Sequence, residues 1–230
     1  MSTVHNDFPK EAAPRRARGR PRKTLDERDD GNRRLELLSA AARLFRQQGF
    51  AATTTRDIAT AAGMRSGSPF YHFENKQALL AAVMEEGMRS ALLRQNKALA
   101  QLAGGASVEA QLRVLVRNHF EVLLGADSDF IPVMLYEWRA LDIAQMGEIK
   151  AVKDVYEAAW VPVFKGLHAE GRLSGEPRLA RLMIFGALNW TVQWYQPPGA
   201  GTEDAREKAV RVGLDELTAS ALSLFLKVPT

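Results

Sequence analysis

Side chains suited to phosphate binding are concentrated near the N-terminus of the 230-residue chain. Residues 15–23 have the sequence Arg-Arg-Ala-Arg-Gly-Arg-Pro-Arg-Lys and carry six positive charges in nine positions. Residues 1–76 hold 15 lysines and arginines against 9 acidic residues, whereas residues 77–230 hold 16 against 18. This asymmetry predicts that the N-terminal part binds a polyanion. A solvated charge run without a partner is the alternative at this point.

Within the basic run, Arg18-Gly-Arg20-Pro resembles the core of an AT-hook. An extended arm of this kind can lie in the narrow minor groove of A·T-rich DNA, whose negative potential attracts arginine. Arg18 and Arg20 are therefore candidate DNA-binding residues. Residues 1–31 as a whole are polar, contain three prolines and show no apolar period, which predicts a disordered arm.

The sequence contains no motif typical of a catalytic or metal-binding site. The absence of cysteine excludes a disulfide scaffold, cysteine-ligated zinc or iron–sulfur clusters, and a thiol nucleophile. The four histidines have no short metal-binding spacing, and residues 77–230 contain no nucleophile elbow or phosphate loop. We therefore expect neither an enzyme nor a metal or cofactor. The apolar stretch 182–195 is too short to cross a bilayer and no signal peptide is visible, so we expect a cytoplasmic protein without a membrane partner.

Apolar residues at spacings of three and four predict helices from Asn32 almost to the end of the chain. Gly49 is a natural stop for the first helix, and Thr54 with Asp57 fits a capping box at the start of the second. Pro162 predicts a kink in a long helix. With 46% apolar residues the chain can form a sizeable core, and we expect an all-α protein of about nine helices. The predicted helices are 33–48, 55–62, 66–73, 75–102, 107–124, 128–141, 147–170, 177–195 and 203–226.

Two short helices joined by a turn at Gly63 are typical of a helix-turn-helix, whose second helix enters the major groove of DNA. This part of the chain contains Thr53-Thr54-x3-Ile58-Ala59-x2-Ala62-Gly63-Met64-x2-Gly67-Ser68-x-Phe70-Tyr71-His72-Phe73-x-Asn75-Lys76-x2-Leu79-Leu80. With these residues, the segment from Leu35 to Leu80 closely resembles the TetR family of bacterial repressors. After the disordered basic arm (1–31), the resemblance implies a three-helix DNA-binding domain (32–80) and a larger helical ligand-binding and dimerisation domain (81–230).

The resemblance also implies which side chains touch DNA. Gly67 permits a close approach to the DNA backbone, and Thr54 and Ser68 are expected to hydrogen-bond phosphate. Phe70 replaces the family's usual tyrosine and keeps an apolar contact with a thymine methyl group, with packing in the core as the alternative. Arg65 replaces the usual serine and is a candidate for guanine recognition or a further phosphate contact. The candidate DNA-binding residues of the domain are Thr54, Arg65, Ser66, Gly67, Ser68, Phe70, Tyr71, His72 and Lys76, with His72 and Lys76 on phosphate.

Aromatic residues in the C-terminal part are candidates for a ligand cavity. All four tryptophans lie there, and His119, Asn189 and Gln193 are polar groups that can orient a ligand. The alternative is simple core packing. A weaker resemblance to family members that sense lipids or acyl-CoA adds a long apolar ligand, with Arg139, Lys150 or Lys153 as anion partners. The candidate ligand-binding residues are Met134, Trp138, Arg139, Trp160, Phe164, Asn189, Trp190, Gln193 and Trp194.

The family resemblance places the dimer interface on the last two helices. Gly186 and Ala187 allow helices to approach closely, and a leucine-rich stripe follows on the last helix, so that two copies form a four-helix bundle. The candidate interface residues are Gly186, Ala187, Leu214, Leu217, Ala221 and Leu224.

These features together predict a homodimeric, ligand-responsive transcriptional repressor. We expect it to bind a pseudo-palindromic DNA operator and to be released by a small hydrophobic or acyl-CoA-like effector. The alternatives are a metabolite-binding protein or enzyme with a vestigial helix-turn-helix, and a transcriptional activator of the same fold.

Overall fold

The computed structural model describes residues 25–64, 73–125, 128–197 and 212–228, with side chains from residue 32 onward. The regular elements in these ranges are nine α-helices and two short 3₁₀ helices, which confirms the expected all-α architecture. Arg18, Arg20 and the predicted helix 66–73 up to His72 lie outside the described residues. In the described part of the chain, no helix is long and apolar enough to cross a membrane.

The first helix, α1 (Leu25–Ala52), begins earlier than the expected Arg33, so residues 25–31 of the predicted disordered arm are helical. No proline occurs between Pro21 and Pro69, so no residue of this stretch is sterically excluded from a helix interior. Gly49 interrupts α1 with a φ of +82°, as its type predicts. The short helix α2 (Thr55–Ala61) follows, and its predicted capping box is confirmed.

Local capping signals explain where several of the remaining helices start. Asn75 accepts a hydrogen bond from the amide of Ala78, and Ser107 accepts one from Ala110, as expected of N-cap residues. The 3₁₀ helices are Trp138–Ala140 and Thr191–Gln193. The remaining α-helices are α3 (Lys76–Ala100), α4 (Val108–Leu124), α5 (Phe130–Glu137), α6 (Ile143–Ala158), α7 (Trp160–Ala169), α8 (Pro177–Trp190) and α9 (Leu214–Phe225).

The long helix predicted over 147–170 is instead two helices, α6 and α7, that meet at Ala159. A proline at position 162 would clash with the carbonyl of Ala158 four residues earlier, so α6 ends there and Pro162 lies in the first turn of α7. The start is also earlier than predicted, because Asp142 and Gln145 form a capping box.

The core is one continuous cluster in which α3 packs against α1, α4, α5 and α6. Trp160, Phe45, Phe120 and Phe164 are its largest fully buried side chains. Two polar side chains in its centre are paired: the Trp160 indole donates to Gln95 Oε1 over 2.8 Å, and Gln95 Nε2 donates to the backbone oxygen of Tyr156 over 2.9 Å. These bonds connect α3, α6 and α7 in the centre of the molecule.

Candidate functional site

Thr54 is fully engaged in starting α2. Its hydroxyl donates to Asp57 Oδ2 over 2.6 Å and accepts from the Asp57 amide over 3.1 Å. The Thr54 amide donates to the same carboxylate oxygen, and these hydrogen bonds lower the pKa of Asp57. Because the only hydroxyl hydrogen of Thr54 is used inside the protein, the predicted donation to phosphate is not available in this conformation.

Lys76 is also engaged within the protein rather than free for phosphate. Its Nζ donates to the backbone oxygens of Phe50 (2.7 Å) and Thr53 (2.8 Å) at the end of α1. The ammonium lies 4.3 Å from the centre of the Phe50 ring, a cation–π distance. The family resemblance predicts that Lys76 contacts phosphate. In the structure, its hydrogen bonds instead connect the start of α3 to the segment between α1 and α2.

Replacing Lys76 by methionine is expected to lower the free energy of unfolding by about 1–3 kcal/mol, because two partly buried carbonyls lose their donor. A residue that only contacts phosphate would leave stability unchanged and reduce the salt dependence of DNA binding by about one counterion. Urea unfolding, with DNA titrations at several salt concentrations, separates the two roles. Unchanged stability with a smaller salt slope would restore the phosphate assignment.

The packing beneath the predicted recognition helix is present in the described residues. Phe45, Ile58 and Phe73 are buried, and the Arg34 guanidinium lies 5.3 Å from the centre of the Phe73 ring. Phe73 therefore belongs to the core, as the sequence indicates. The expected contacts of the residues from Arg65 to His72 stay predictions, because these residues lie outside the described ranges.

Helix α5 fastens this N-terminal part to the rest of the molecule at both of its ends. Before its first turn, Arg46 of α1 donates to Asp129 Oδ1 (2.9 Å) and to the backbone oxygen of Ser128 (3.2 Å). At its last residue, Glu137 Oε1 accepts from the Phe50 amide over 3.0 Å. A displacement of α5 must therefore either move α1 with it or break these hydrogen bonds.

A small cavity of about 40 Å³ lies between α3, α4, α5, α6 and α8. Ile131 and Met134 of α5 form part of its wall, so one face of α5 borders the cavity while its ends hold α1. One side of the lining is polar and the other apolar. The lining consists of Met88, Ala91, His119, Val122, Ile131, Met134, Lys153, Tyr156, Glu157, Phe185 and Asn189.

A buried histidine, His119, connects polar residues of the cavity wall through hydrogen bonds. His119 Nδ1 lies 3.0 Å from the Tyr156 hydroxyl, and His119 Nε2 lies 3.0 Å from Asn189 Oδ1. Burial lowers the pKa of His119 to about 4, against a smaller opposing contribution from the Asn189 hydrogen bond. The ring is therefore neutral at pH 7, with Nε2–H donating to Asn189 and Nδ1 accepting from Tyr156. The oxygen of the Asn189 amide is thus occupied, which leaves its NH₂ group as the donor for a ligand.

The lowered pKa of His119 predicts a loss of stability in acid. Between pH 6.5 and about 4 the unfolded chain binds a proton at this residue and the folded protein does not. The contribution of His119 to the free energy of unfolding therefore falls by about 3 kcal/mol as the pH is lowered from 6.5 to about 4. Urea unfolding of the wild type and of His119→Gln from pH 7.5 to 4 measures the difference. Parallel curves for the two proteins would contradict a buried, neutral histidine.

Two family models match the chain in the regions just described. "Bacterial regulatory proteins, tetR family" matches residues 37–83, and "Tetracyclin repressor-like, C-terminal domain" matches residues 105–215. The chain belongs to the TetR family of transcriptional regulators.

The chain is similar to individual relatives and solved structures over most of its length. The HTH-type transcriptional repressor KstR2 of Rhodococcus jostii (strain RHA1) is 29% identical over 181 residues, which are 76% of this chain and 86% of the relative. The crystal structure of superantigen PfiT is 34% identical, covers 85% of this chain and 96% of that one, and gives a TM-score of 0.66. AibR in complex with isovaleryl coenzyme A and operator DNA shares the fold, with 22% identity, a TM-score of 0.71, and coverage of 84% of this chain and 97% of AibR.

In this TetR-family regulator, only part of the predicted ligand set surrounds the cavity. Met134 and Asn189 line it, whereas Trp160 and Phe164 are fully buried core residues beside it. Trp190 is 65% exposed on α8 and lies outside the cavity lining, so its contact with a ligand stays a prediction. The remaining predicted ligand residues also lie away from the lining: Trp138 and Arg139 on the 3₁₀ helix after α5, and Gln193 and Trp194 on the surface.

The predicted dimer residues divide in the same way. Leu217 and Ala221 are buried within the monomer, where α9 packs on α4. Leu224 is exposed and Leu214 is partly buried. Gly186 and Ala187 are exposed on a continuous apolar face of α8 that we call the α8 stripe. It comprises Leu179, Leu182, Met183, Gly186, Ala187 and Trp190.

Sequence reasoning missed several residues of this TetR-family regulator. Arg46 and Glu137, which fasten α5 to α1, gave no local signal except that Glu137 ends an otherwise apolar segment. Glu157 and Phe185 of the cavity wall were missed as well. The i, i+4 spacing of Lys153 and Glu157 was visible, but such pairs usually lie on solvated helix faces.

Proposed function

We propose that this TetR-family regulator is a homodimeric repressor that binds a pseudo-palindromic operator and releases it when a small hydrophobic effector binds. The observation that carries the proposal is the double role of α5. Its residues Ile131 and Met134 line the cavity, while Asp129 and Glu137 at its two ends bind α1. A ligand in the cavity thus has a direct physical route to the DNA-binding part.

The cavity is too small for an effector in the described conformation. A cavity of about 40 Å³ is far below the roughly 300 Å³ of ordinary ligand sites, so an effector must move part of the wall. Met88 and Met134 are suited to this, because methionine side chains rearrange easily. A neighbouring groove of about 290 Å³ shares Ala91, Val122 and Ile131 with the cavity. Displacement of this shared wall would join the two spaces.

The lining supports an effector with an apolar body and one polar end. Met88, Val122 and Ile131 suit an alkyl or ring system, while the Asn189 amide offers N–H donors to a carbonyl oxygen. Lys153 at the cavity wall remains a candidate anion partner, as the sequence suggested. An acyl-CoA-like effector satisfies these requirements, and isovaleryl coenzyme A is bound by AibR, which has the same fold.

The α8 stripe supports a dimer. Four large apolar side chains on one helix face, each more than half exposed in the monomer, are unusual for a surface without a partner. Gly186 and Ala187 in the middle of the stripe allow a second helix to approach closely. Beside it, α9 exposes Ala219, Ser220, Ser223 and Leu224, which extends the surface for a four-helix bundle.

Repression would then follow from a shift between two conformations. Effector binding favours the state in which α5 is displaced, and the Arg46 and Glu137 contacts transmit that displacement to α1. The two DNA-binding parts of the dimer then lose the spacing that an operator requires. We further propose a cytoplasmic location, no catalytic activity, and the domain boundaries 1–31, 32–80 and 81–230.

Selection of bound fragments from genomic DNA, followed by gel-shift titration at several salt concentrations, tests the proposal. We expect a palindromic site bound at sub-micromolar concentration and more tightly than random DNA. Salt-sensitive binding without sequence preference would indicate a nucleoid-type protein, and no binding would indicate a vestigial helix-turn-helix. A reporter gene downstream of the selected site distinguishes repression from activation.

A further inference from the structure

We propose that a cleft between α7 and α8 binds the phosphate-bearing head of the effector whose apolar body occupies the cavity. The inference rests on the proposed function and extends it by a second subsite. We call this space the α7–α8 cleft. It has a volume of about 510 Å³ and is lined by Val161, Phe164, Lys165, Glu176, Pro177, Arg178 and Arg181.

The cleft and the cavity lie on either side of one ion-pair cluster. Glu157 lines the cavity, and its Oε2 binds Arg181, which lines the cleft. The other oxygen of Glu157 binds Lys153, which also lines the cavity. A ligand that displaces the Glu157 carboxylate from these cations therefore connects the two spaces.

Positive charge is in excess around the cleft. Lys153 and Arg181 share the single carboxylate of Glu157. Lys165 and Arg178 have no ion-pair partner among the described residues. This excess lies in a part of the chain, residues 77–230, in which acidic residues outnumber basic ones.

The remaining acidic residue of the cleft is already committed to its own helix. Glu176 accepts from the amides of Arg178 and Leu179, each over 2.9 Å, and so caps the start of α8. These backbone hydrogen bonds lower the pKa of Glu176, which keeps it ionised and turned toward the helix. Arg178 also contributes to the lowered pKa through its charge, but neither Arg178 nor Lys165 forms an ion pair with Glu176, so both side chains can bind an external anion.

Phosphate fits this arrangement better than a carboxylate. Lys165, Arg178 and Arg181 come from two helices, and several cations around one cleft suit a group with several anionic oxygens. Val161, Phe164 and Pro177 supply an apolar floor that suits a nucleotide base or an alkyl linker. A coenzyme A thioester combines an acyl body with a phosphorylated nucleotide head, and it is the effector class that uses both spaces.

Calorimetric titration with matched probes tests the cleft. The probes are butyryl-, octanoyl- and palmitoyl-CoA, the corresponding free acids, CoA alone, and a lysophosphatidic acid with a palmitoyl chain. Each is titrated into the full chain, into Lys165→Gln/Arg178→Gln, and into the control Arg89→Gln/Lys97→Gln. The control removes the same charge from exposed positions of α3, and circular dichroism verifies that all three proteins fold.

We expect at least one acyl-CoA to bind the wild type more tightly than its free acid and to release operator DNA. The cleft variant should bind that acyl-CoA about tenfold or more weakly, with an unchanged affinity for the acid, and the control should match the wild type. Equal loss in the control, or no loss in the cleft variant, would overturn the proposal. Binding of lysophosphatidic acid but of no acyl-CoA would replace coenzyme A by a lipid phosphate.

The same titrations keep the two proposals apart. If the free acids bind as tightly as their CoA thioesters and release operator DNA, the proposed phosphate site in the cleft is wrong. The proposal of a hydrophobic effector is then unaffected. If none of the probes binds, the cleft proposal is overturned. Failure of the chain to select any operator contradicts the repressor itself.

Discussion

Replacing Met183 by arginine is expected to convert the dimer to a monomer and to weaken operator binding by about a hundredfold or more. Met183 is 69% exposed in the centre of the α8 stripe, so the monomer should fold normally. In a two-fold dimer built on this stripe, the substitution places unpaired charges in an apolar contact, which is costly. Light scattering after size-exclusion chromatography measures the oligomeric state, and gel-shift titration measures the affinity.

Leu93→Arg provides the matched control for the dimer. Leu93 is also 69% exposed but lies on α3, outside the α8 stripe, and the same substitution there should leave both the dimer and DNA binding intact. A Met183→Arg protein that remains dimeric at micromolar concentration would place the interface elsewhere. Monomerisation with full operator affinity would instead contradict the need for two DNA-binding parts.

Leu217→Arg should act on folding rather than on assembly, with a loss of about 3–5 kcal/mol in the free energy of unfolding. Leu217 is 7% exposed and lies where α9 packs against α4. A guanidinium at this position would be buried without an acidic side chain to pair with it. Urea unfolding measures the loss. Leu224→Arg, on the same helix at a position 82% exposed, should unfold like the wild type.

The outcome for Leu217 also distinguishes the two locations of the residue. If Leu217→Arg is a stably folded monomer, the residue lies in the dimer interface, as the sequence pattern suggested. If it unfolds at lower urea concentration at all protein concentrations, the structural assignment to the monomer core is correct.

Features that depend on neighbouring residues were predictable from the sequence. Thr54 and Asp57 form a capping box because both partners lie within one turn, and Asn75 caps α3 for the same reason. Gly49 breaks α1 because a positive φ is easily adopted by glycine alone. The family motif between Leu35 and Leu80 extended this local information to a function.

The sequence did not predict whether an apolar helix face packs inside the monomer or lies on its surface. Helix α8 is apolar on two faces: Ile184, Phe185 and Leu188 pack inside the monomer, while Met183 and Trp190 face outward. Periodicity shows that a face is apolar but not whether its partner is the same chain or another. The sequence therefore placed Trp190 in the cavity and Leu217 in the interface, whereas in the structure Trp190 is exposed and Leu217 is buried within the monomer.

Long-range pairs were invisible for a different reason. Arg46 and Asp129, 83 residues apart, are an ordinary arginine and an ordinary aspartate until the fold brings α1 against α5. His119 and Asn189, 70 residues apart, were named as polar groups near a ligand, but their hydrogen bond fixes the orientation of the Asn189 amide. That orientation determines which ligand atom can bind, and no local pattern contains it.

The two-ended attachment of α5 imposes a symmetry on any sensing by this protein. If an effector lowers operator affinity by a given factor through α5, operator DNA must lower effector affinity by that same factor. Protein bound to its operator then has a lower affinity for the effector than protein free of DNA. The effector concentration that half-saturates the protein is therefore higher when operator DNA is bound, and saturating operator DNA should raise it by that factor in a calorimetric titration.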